Sequence, residues 1–543
     1  MKTKLLYIVF CLVGLYLNAQ QEFHVFPKNH SKTPGTEVGN GSLTSPWDLQ
    51  TALSQKTEIV NSGDAIWLHE GIYNGRFVST IESLEPNRYI TVSAFENEIV
   101  ILNGNVESTK QSVLDVQGKQ VIYKNFDITF LGDFSRDEND TDFEVSCGLR
   151  HLSGVNCRFY NLRIYNIPGL GMGSWKNGGG TTIQDCMIYN NGYISKDGKG
   201  RGEGIYVQNR SDEERLIKNN IIFNNYYKGI EVWSAGKRAN YQYVKNITLD
   251  HNIIFNSGSP SGMSKDNVIV ASADRNGINI AQNIKVLNNI LYHNTDVKNA
   301  QVNGDAASLT LGFYKKAPVE DVIVDNNIVI GRNNALRLLY AKSLIFTNNT
   351  VYSGYVSVAQ SIDDNIYPSE WVFNSNSIFT KNGTPFVMDM NKKYTLTKWE
   401  TRYGNKYNSV FKNIREFDLK PILTISKNEY KNDSYTAVLY DKDNQDITVD
   451  FSEYKIKTNT NYTIYDAENP NIVLKSGTLT NGFKITFPMQ LTDFEQPLHN
   501  TKAEKTESNF GVFIIEFDDK NVKVISDGKK DNALQRFFKW LGF

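Results

Sequence analysis

The sequence predicts an all-β protein: a right-handed parallel β-helix followed by a small antiparallel β-sandwich. Three observations carry that expectation. Segments such as VIYKNFDITF, NCRFYNLRIYN, TTIQDCMIYNNG, LIKNNIIFNN and NIKVLNNILYHN recur along the chain, each placing Asn or Asp before an apolar pair. Between them lie short alternating strands, GLRHL, GEGIYVQN, KGIEVWS and NVIVAS, with too few helical patterns for an ordinary α/β domain. Finally, 543 residues exceed one compact core of ordinary size, and a solenoid with an appended domain accommodates them.

Taken in order, the chain opens with Lys2 and Lys4, the apolar run LLYIVFCLVGLYL and the small Ala19. That is the layout of a secretory signal over residues 1–20, so export to the periplasm or the medium is expected. No other apolar stretch is long enough to span a bilayer. Cys11 falls in the signal, and the odd set Cys147, Cys157 and Cys186 allows at most one disulfide, with Cys186 read as a buried free thiol.

Residues 21–400 are assigned to the coil and its N-terminal cap. Ser45 and Pro46 mark a helix start before WDLQTAL, and a helix here closes the open end of the solenoid. Asparagine suits the recurring corners because it tolerates left-handed backbone angles, and stacked amides can bond from coil to coil. His251, in LDHNIIF, is read as one such structural corner. The rhythm ends near residue 390. Residues 415–525 hold longer alternating runs, including PILTISKN, YTAVLYD, DITVDFSEY and FGVFIIEFDD, which fit a sandwich of about seven strands. NALQRFFKWLGF, in the tail 530–543, has one apolar helical face and is expected to dock on a surface of this chain or a partner, with membrane association as the alternative.

Formal charge is −1, which argues against general nucleic-acid binding and leaves any anionic ligand to a local basic patch. Tyr and Phe, at 29 each, suit a β core and a sugar-stacking surface equally and decide nothing. The sequence has no G-x-S-x-G elbow, H-E-x-x-H, paired C-x-x-C or phosphate-cradling glycine loop with its lysine.

What remains is a set of ionisable residues on consecutive coils. In GEGIYVQN and KGIEVWSA, strand alternation turns Ile205, Val207, Ile230 and Val232 inward and Tyr206, Gln208, Glu231 and Trp233 outward. Stacked in register, the outward set forms a polar and aromatic groove. Lys196, Lys199 and Arg201 lead into the first strand, Lys228 into the second, and Lys237 and Arg238 follow it. Glu203 and Glu231 are read as equivalents on neighbouring strands, close enough to interact or to straddle a cation. No metal is expected, with calcium on Glu203, Glu231 and Asn209 as the alternative. Arg150 and His151 extend the groove, His151 as a candidate base.

Several stretches resemble the exported right-handed β-helix proteins with which marine Bacteroidota degrade algal polysaccharides. They are FHVFPKNH and GDAIWLHEGIYNG, GLRHLSGVNCRFYNLRIYN, RGEGIYVQN, KGIEVWSAG, GFKITFPM and FGVFIIEF, and together they span nearly the whole mature chain. The resemblance implies a uronate lyase or an ulvan-oligosaccharide dehydratase; an anionic oligosaccharide is the expected substrate and a monomer the expected state. The N-T-D, D-D and G-H-G motifs of polygalacturonase-like hydrolases are missing from the strands.

Elimination across C4 and C5 of a uronate needs its carboxylate neutralised, a base for the C5 proton and an acid for the departing oxygen. Arg201 and Arg238 are the expected clamp, and Lys228 the expected base, its pKa lowered by neighbouring cations. Tyr206 or His151 is the expected proton donor, with Glu231 orienting Lys228 or a substrate hydroxyl. Arg150, Glu203, Gln208, Trp233 and Lys237 join Arg238 in binding substrate. Two alternatives stand beside this reading: a glycoside hydrolase using Glu203 and Glu231, and a non-catalytic glycan-binding solenoid.

Overall fold

The computed structural model describes residues 20–295, 304–359, 366–388, 391–404, 406–431 and 433–518. The expected signal, apart from Gln20, and the expected amphipathic tail lie outside the described residues. Among the described residues no helix is long and apolar enough to cross a membrane.

The chain is a parallel β-helix. Each full coil contributes one strand to each of three walls. Strands such as Arg158–Tyr160, Thr182–Gln184 and Arg215–Lys218 stack on one wall, and Arg163–Tyr165, Met187–Tyr189 and Ile221–Phe223 on a second. The long Trp371–Thr380 strand pairs with both and joins them into a 23-stranded sheet. A separate 12-stranded sheet is the third wall. Alternate residues of all three fill a continuous core, and Ile205, Val207, Ile230 and Val232 are fully buried in it, as alternation requires.

The corners explain the repeat. Asn125, Asn161, Asn219, Asn288 and Asn326 have φ between 49° and 65°, and His251, at 55°, occupies the same kind of corner. After Asn219, His251, Asn288 and Asn326 the next residue is a second asparagine, which sends its amide inward, whereas Phe126 and Leu162 fill the core after Asn125 and Asn161. Asn220 donates to Asn252 at 2.9 Å, Asn252 to Asn289 and Asn289 to Asn327 at 3.0 Å, Asn327 to Asn349 at 2.9 Å, and Asn349 to Asn376 at 3.1 Å. The glycine of the Gly-x-apolar-x-apolar pattern has a steric origin. A Cβ on Gly204 would lie 2.6 Å from Cγ2 of Ile222, and one on Gly229 2.4 Å from Cγ2 of Ile254.

Both ends of the coil are covered. Phe23 stacks on Trp47 at 4.7 Å beside a short helix, Leu49–Leu53, and Trp399 of the Leu396–Tyr403 helix stacks on Phe386 at 4.4 Å. The first helix begins later than expected. Its cap is Asp48, which accepts from the Thr51 amide, whereas Ser45 closes a tight turn on Ser42. Cys147, Cys157 and Cys186 are free, buried thiols whose pKa burial pushes up to about 12.

The coil runs past residue 400, because Asn408–Asn413 still pairs in parallel with Trp371–Thr380. Beyond it, Ile422–Lys427, Ser434–Tyr440, Phe510–Asp518, Asn461–Asp466 and Val473–Thr478 form an antiparallel sheet, and Ile447–Asp450 pairs with Lys484–Phe487. These strands enclose their own apolar core. The module lies on the second wall, where Tyr165, Tyr189, Phe223 and Phe255 stack at 4.9–5.1 Å, and Phe510 stacks on Tyr292 at 4.1 Å. Its segment 495–509 bonds across several coils: Arg136 Nε donates to the Leu498 carbonyl at 2.6 Å, Asn294 to that of Lys505 at 2.8 Å, and Tyr292 to Asn509 at 2.9 Å.

Candidate active site

The third wall is left uncovered by the module and carries most of the expected site. Its parallel register sets Asp115, Arg150, Gly173, Tyr206, Glu231, Ile269, Thr310 and Arg337 in one outward line. A second line precedes the strands. Glu203, Lys228 and Asp266 each stand two residues ahead of a strand, and their coils are tied by Gly204 N–H to Lys228 O at 2.9 Å and Gly229 N–H to Asp266 O at 3.1 Å. Glu203 and Glu231 are therefore not equivalents: Glu203 stacks with Lys228, and Glu231 is in register with Tyr206. Their side chains nevertheless meet, the two carboxyls in hydrogen-bonding contact. Burial first, and then the neighbouring Glu231 carboxylate, push the Glu203 pKa up to about 8.

Lys228 forms a buried ion pair with Glu231, its ammonium 4.5 Å from the Tyr227 ring centroid and 5.2 Å from that of Trp233. Burial works against its charge, but Glu231, Tyr227 and Asp266 outweigh it and raise the pKa above the ordinary lysine value. This reverses the expectation of a lowered pKa at Lys228. The cations expected to crowd it are engaged elsewhere, since Lys199 and Arg201 both pair with Asp197, at 2.9 and 3.3 Å. Arg201 also lies 5.9 Å from the Tyr227 ring.

At this site the lysine with a lowered pKa is Lys265. Burial is the main cause, and Lys228, Arg201 and Lys199 add repulsion against the opposing pull of Asp266. Among the described residues no carboxylate forms an ion pair with it. Asp266 itself is buried and binds Arg337 Nη2 at 2.5 Å and the Thr310 hydroxyl, while Arg337 Nε donates to Thr310 at 2.8 Å. Burial disfavours the Asp266 charge, but Arg337, Lys228 and Thr310 hold the pKa below the ordinary value.

These groups surround a cavity of about 340 Å³ whose walls include Tyr227, Lys228, Trp233, Lys265, Asp266 and Arg337. Phe313 and Tyr314 close one side, their rings 5.8 and 6.0 Å from that of Trp233. Tyr206 stands one coil away. Its oxygen accepts from Gln208 Nε2 at 3.2 Å and the Ala235 amide at 3.3 Å, and burial, with Glu231, keeps it a phenol. Trp175 packs on it at 5.0 Å.

Other expected members lie apart. Arg150 is held by Asp115, with Nε 2.6 Å from Oδ1, and Gly173 separates it from Tyr206. His151 is fully buried inside the coil, because adjacent strand residues face opposite ways. Its Nε2 donates to the Gly154 carbonyl at 2.8 Å, and burial together with Arg215 pushes its pKa down to about 3, which removes it from the groove as base or acid. Lys237 and Arg238 are exposed beyond Ser234 and do not line the cavity. The calcium set does not fit either. Asn209 spends its Oδ1 on the Ser211 amide and its Nδ2 on the Glu213 carbonyl, while Glu231 is taken by Lys228. Among the described residues no group of three or more His, Cys, Asp or Glu side chains is placed to hold a metal ion.

Lys265, Asp266 and Arg337 were absent from the expected set. A signal existed for two of them. Asp266 in KDNVIVAS occupies the same pre-strand position as Glu203 and Lys228, and Arg337 is the outward residue of ALRLLYA.

No protein-family model and no curated protein matches this chain. Among solved structures it is similar to a pectate lyase, at 16% identity over 68% of this chain and 77% of that one, with a TM-score of 0.37. It is similar to a rhamnogalacturonan lyase at 15% identity, 69% and 86% coverage and a TM-score of 0.42. The Dettilon tailspike protein gives 12%, 91% and 94% coverage and 0.41. Similarities at these levels decide neither reaction nor substrate, and the assignment of the chain as a parallel β-helix rests on its own strand pairing.

Proposed function

We propose that this protein is an exported β-eliminating carbohydrate enzyme. Its substrate is a uronic-acid-containing, sulfated, ulvan-like algal oligosaccharide, and it leaves a 4,5-unsaturated uronate by loss of water or of an alcohol. The observation that carries this reading is the coincidence, in one aromatic-walled cavity, of a half-buried lysine, Lys265, and two cations, Lys228 and Arg337, fixed by the buried carboxylates of Glu231 and Asp266.

Lys228 and Arg337, fixed by Glu231 and Asp266, offer their remaining N–H groups to the uronate carboxylate and stabilise the negative charge that grows there when C5 is deprotonated. Lys265, in its neutral fraction, takes the C5 proton. The C5–H electron pair becomes the C4–C5 double bond as the C4–O bond breaks. Glu203, which carries a proton at neutral pH, and the Tyr206 phenol are the acids that supply a proton to the departing oxygen. Tyr227, Trp233 and Phe313 provide ring faces for the sugar.

A hydrolase reading has one observation in its favour, the separation of Glu203 and Glu231 into a proton carrier and the partner of Lys228. Direct contact between the two carboxyls counts against it, because glycosidase pairs stand about 5–9.5 Å apart to admit the sugar.

The test is a panel of uronate-containing algal oligosaccharides followed by mass and ultraviolet absorbance together. A loss of about 18 mass units without chain cleavage, with new absorbance near roughly 230 nm, identifies a dehydratase. Cleavage with that absorbance identifies a lyase, and new reducing ends without it overturn elimination in favour of hydrolysis.

A further inference from the structure

The C-terminal module holds a buried cluster of ionisable groups that takes no part in the third-wall cavity. Asp466 ends the strand Asn461–Asp466, and Glu468 follows in the turn after it. Both carboxyls face segment 495–509, which has no strand or helix of its own and crosses the coils. Lys505 of that segment inserts between them, its Nζ 2.8 Å from Asp466 Oδ2 and in contact with Glu468 Oε2. The Lys505, Asp466 and Glu468 side chains are only 12, 6 and 2% exposed. Ala467, between the two acids, packs in the aromatic seam with Tyr440 and Phe510, so the surroundings are dry.

The two acids meet the lysine differently. Glu468 is held by hydrogen bonds, accepting from Nζ, from the Thr506 hydroxyl at 2.5 Å and from the Thr506 amide at 3.3 Å. Asp466 Oδ2 accepts no hydrogen bond among the described residues, although Nζ is 2.8 Å away. The nitrogen therefore comes close without the alignment of a donor and acceptor. A buried carboxylate oxygen left unsatisfied needs an explanation. Bond formation supplies one, because Cγ of Asp466 lies a single bond beyond that oxygen.

We propose that Lys505 and Asp466 close an isopeptide bond in the folded protein, with Glu468 as the catalytic acid and base. At rest the group is ionic: burial works against the Lys505 charge, but Glu468 and Asp466 keep it an ammonium. Burial also raises the Glu468 pKa against the pull of Lys505, which suits it to carry a proton in transit. Glu468 takes a proton from Nζ and hands it to Asp466, giving a neutral amine beside a neutral acid. Dry surroundings narrow the gap between that pair and the ionic one. Nζ then bonds to Cγ, and Glu468 moves a second proton from nitrogen to the departing oxygen. The Cγ–O bond breaks, and one water leaves with no change of oxidation state. Because the bond closes once per molecule, a sparsely populated reactive form suffices, and fixed positions supply the effective concentration. The product fastens the segment 495–509 to the sheet of the module, whatever reaction the cavity performs. Among the described residues no disulfide does so, since all three cysteines are free.

Intact mass and tryptic mapping of the purified, denatured full chain test this. The parent is expected about 18 mass units below its own linear sequence. Trypsin should release one branched peptide carrying Asp466 and Lys505, because an acylated lysine is not cleaved. Asp466→Ala and Lys505→Met should give linear peptides only. Glu468→Gln keeps both bonding partners, and the branched peptide should fall to a minor species. Full linear mass in the parent, with peptides ending at Lys505, overturns the proposal without recourse to any variant. A branch to Glu468 in place of Asp466 overturns it too, as does complete branching in Glu468→Gln.

Discussion

Glu203 and Glu231 stand on adjacent coils with their carboxyls in contact, and Lys228 pairs with Glu231 alone. Two like charges cannot sit that close in a buried setting, so the proton stays on the member that has no cation. The asymmetry follows from position. Glu203 lies in the pre-strand line and points across it, whereas Glu231 shares a short Lys228–Glu231 segment with its counter-ion.

The first prediction concerns pH. Folded Glu203 keeps its proton up to about pH 8, while its ordinary value is 4.5. Between those values the folded state binds more protons than the unfolded one, so the Glu203 contribution to stability is complete below the ordinary value and is lost as pH rises through the folded one. Glu203→Gln should flatten this decline. Urea midpoints measured at about pH 5 and about pH 8 for both proteins check it, and parallel declines in the two would count against a protonated Glu203.

Lys228→Met should destabilise the protein by about 3–5 kcal/mol, since it leaves Glu231 buried without a partner. Adding Glu231→Gln should recover most of that loss. Chemical denaturation of the two variants and the parent reads the coupling, and equal stability of single and double variants would refute it.

Lys265→Met should lower kcat/KM for elimination by about a thousandfold, within the range expected for loss of a general base. The melting temperature should stay near that of the parent, because Lys265 is half-buried and lies in a loop. Unchanged formation of unsaturated product would remove Lys265 from the role of base.

Asn289→Ala removes the centre of the interior amide ladder and strands Asn252 below and Asn327 above. The expected cost is about 1–3 kcal/mol for each buried group left unpaired, read as a shift in denaturant midpoint. A change near zero would mean that water replaces the missing amide.

Much of this architecture was legible in the chain. A doubled asparagine before an apolar pair announces both features, the first residue taking the left-handed corner and the second the interior ladder, as at Asn288 and Asn289. The outward line through Tyr206 and Glu231 follows from alternation alone. The same rule, applied two strands earlier on that wall, turns His151 inward as soon as Arg150 faces out, and the placement of both in one groove missed that. The partners of the cations were harder to see. Lys228 finds Glu231 three residues on, whereas Asp266 finds Arg337 at 71 residues' remove, and only the coil register reveals the second pair.

The aromatic seam beneath the C-terminal module changes how the solenoid fails. A free-standing stack of coils can fray from either end, each coil relying on its two neighbours alone. Here Tyr165 through Tyr292 are clamped under one lid, and segment 495–509 stitches Arg136, Asn294 and coils between them to a single strap. Unwinding a middle coil therefore means lifting the lid, which couples it to every other coil beneath. The molecule should melt as one body, with its open wall kept rigid by a fastening on the opposite flank.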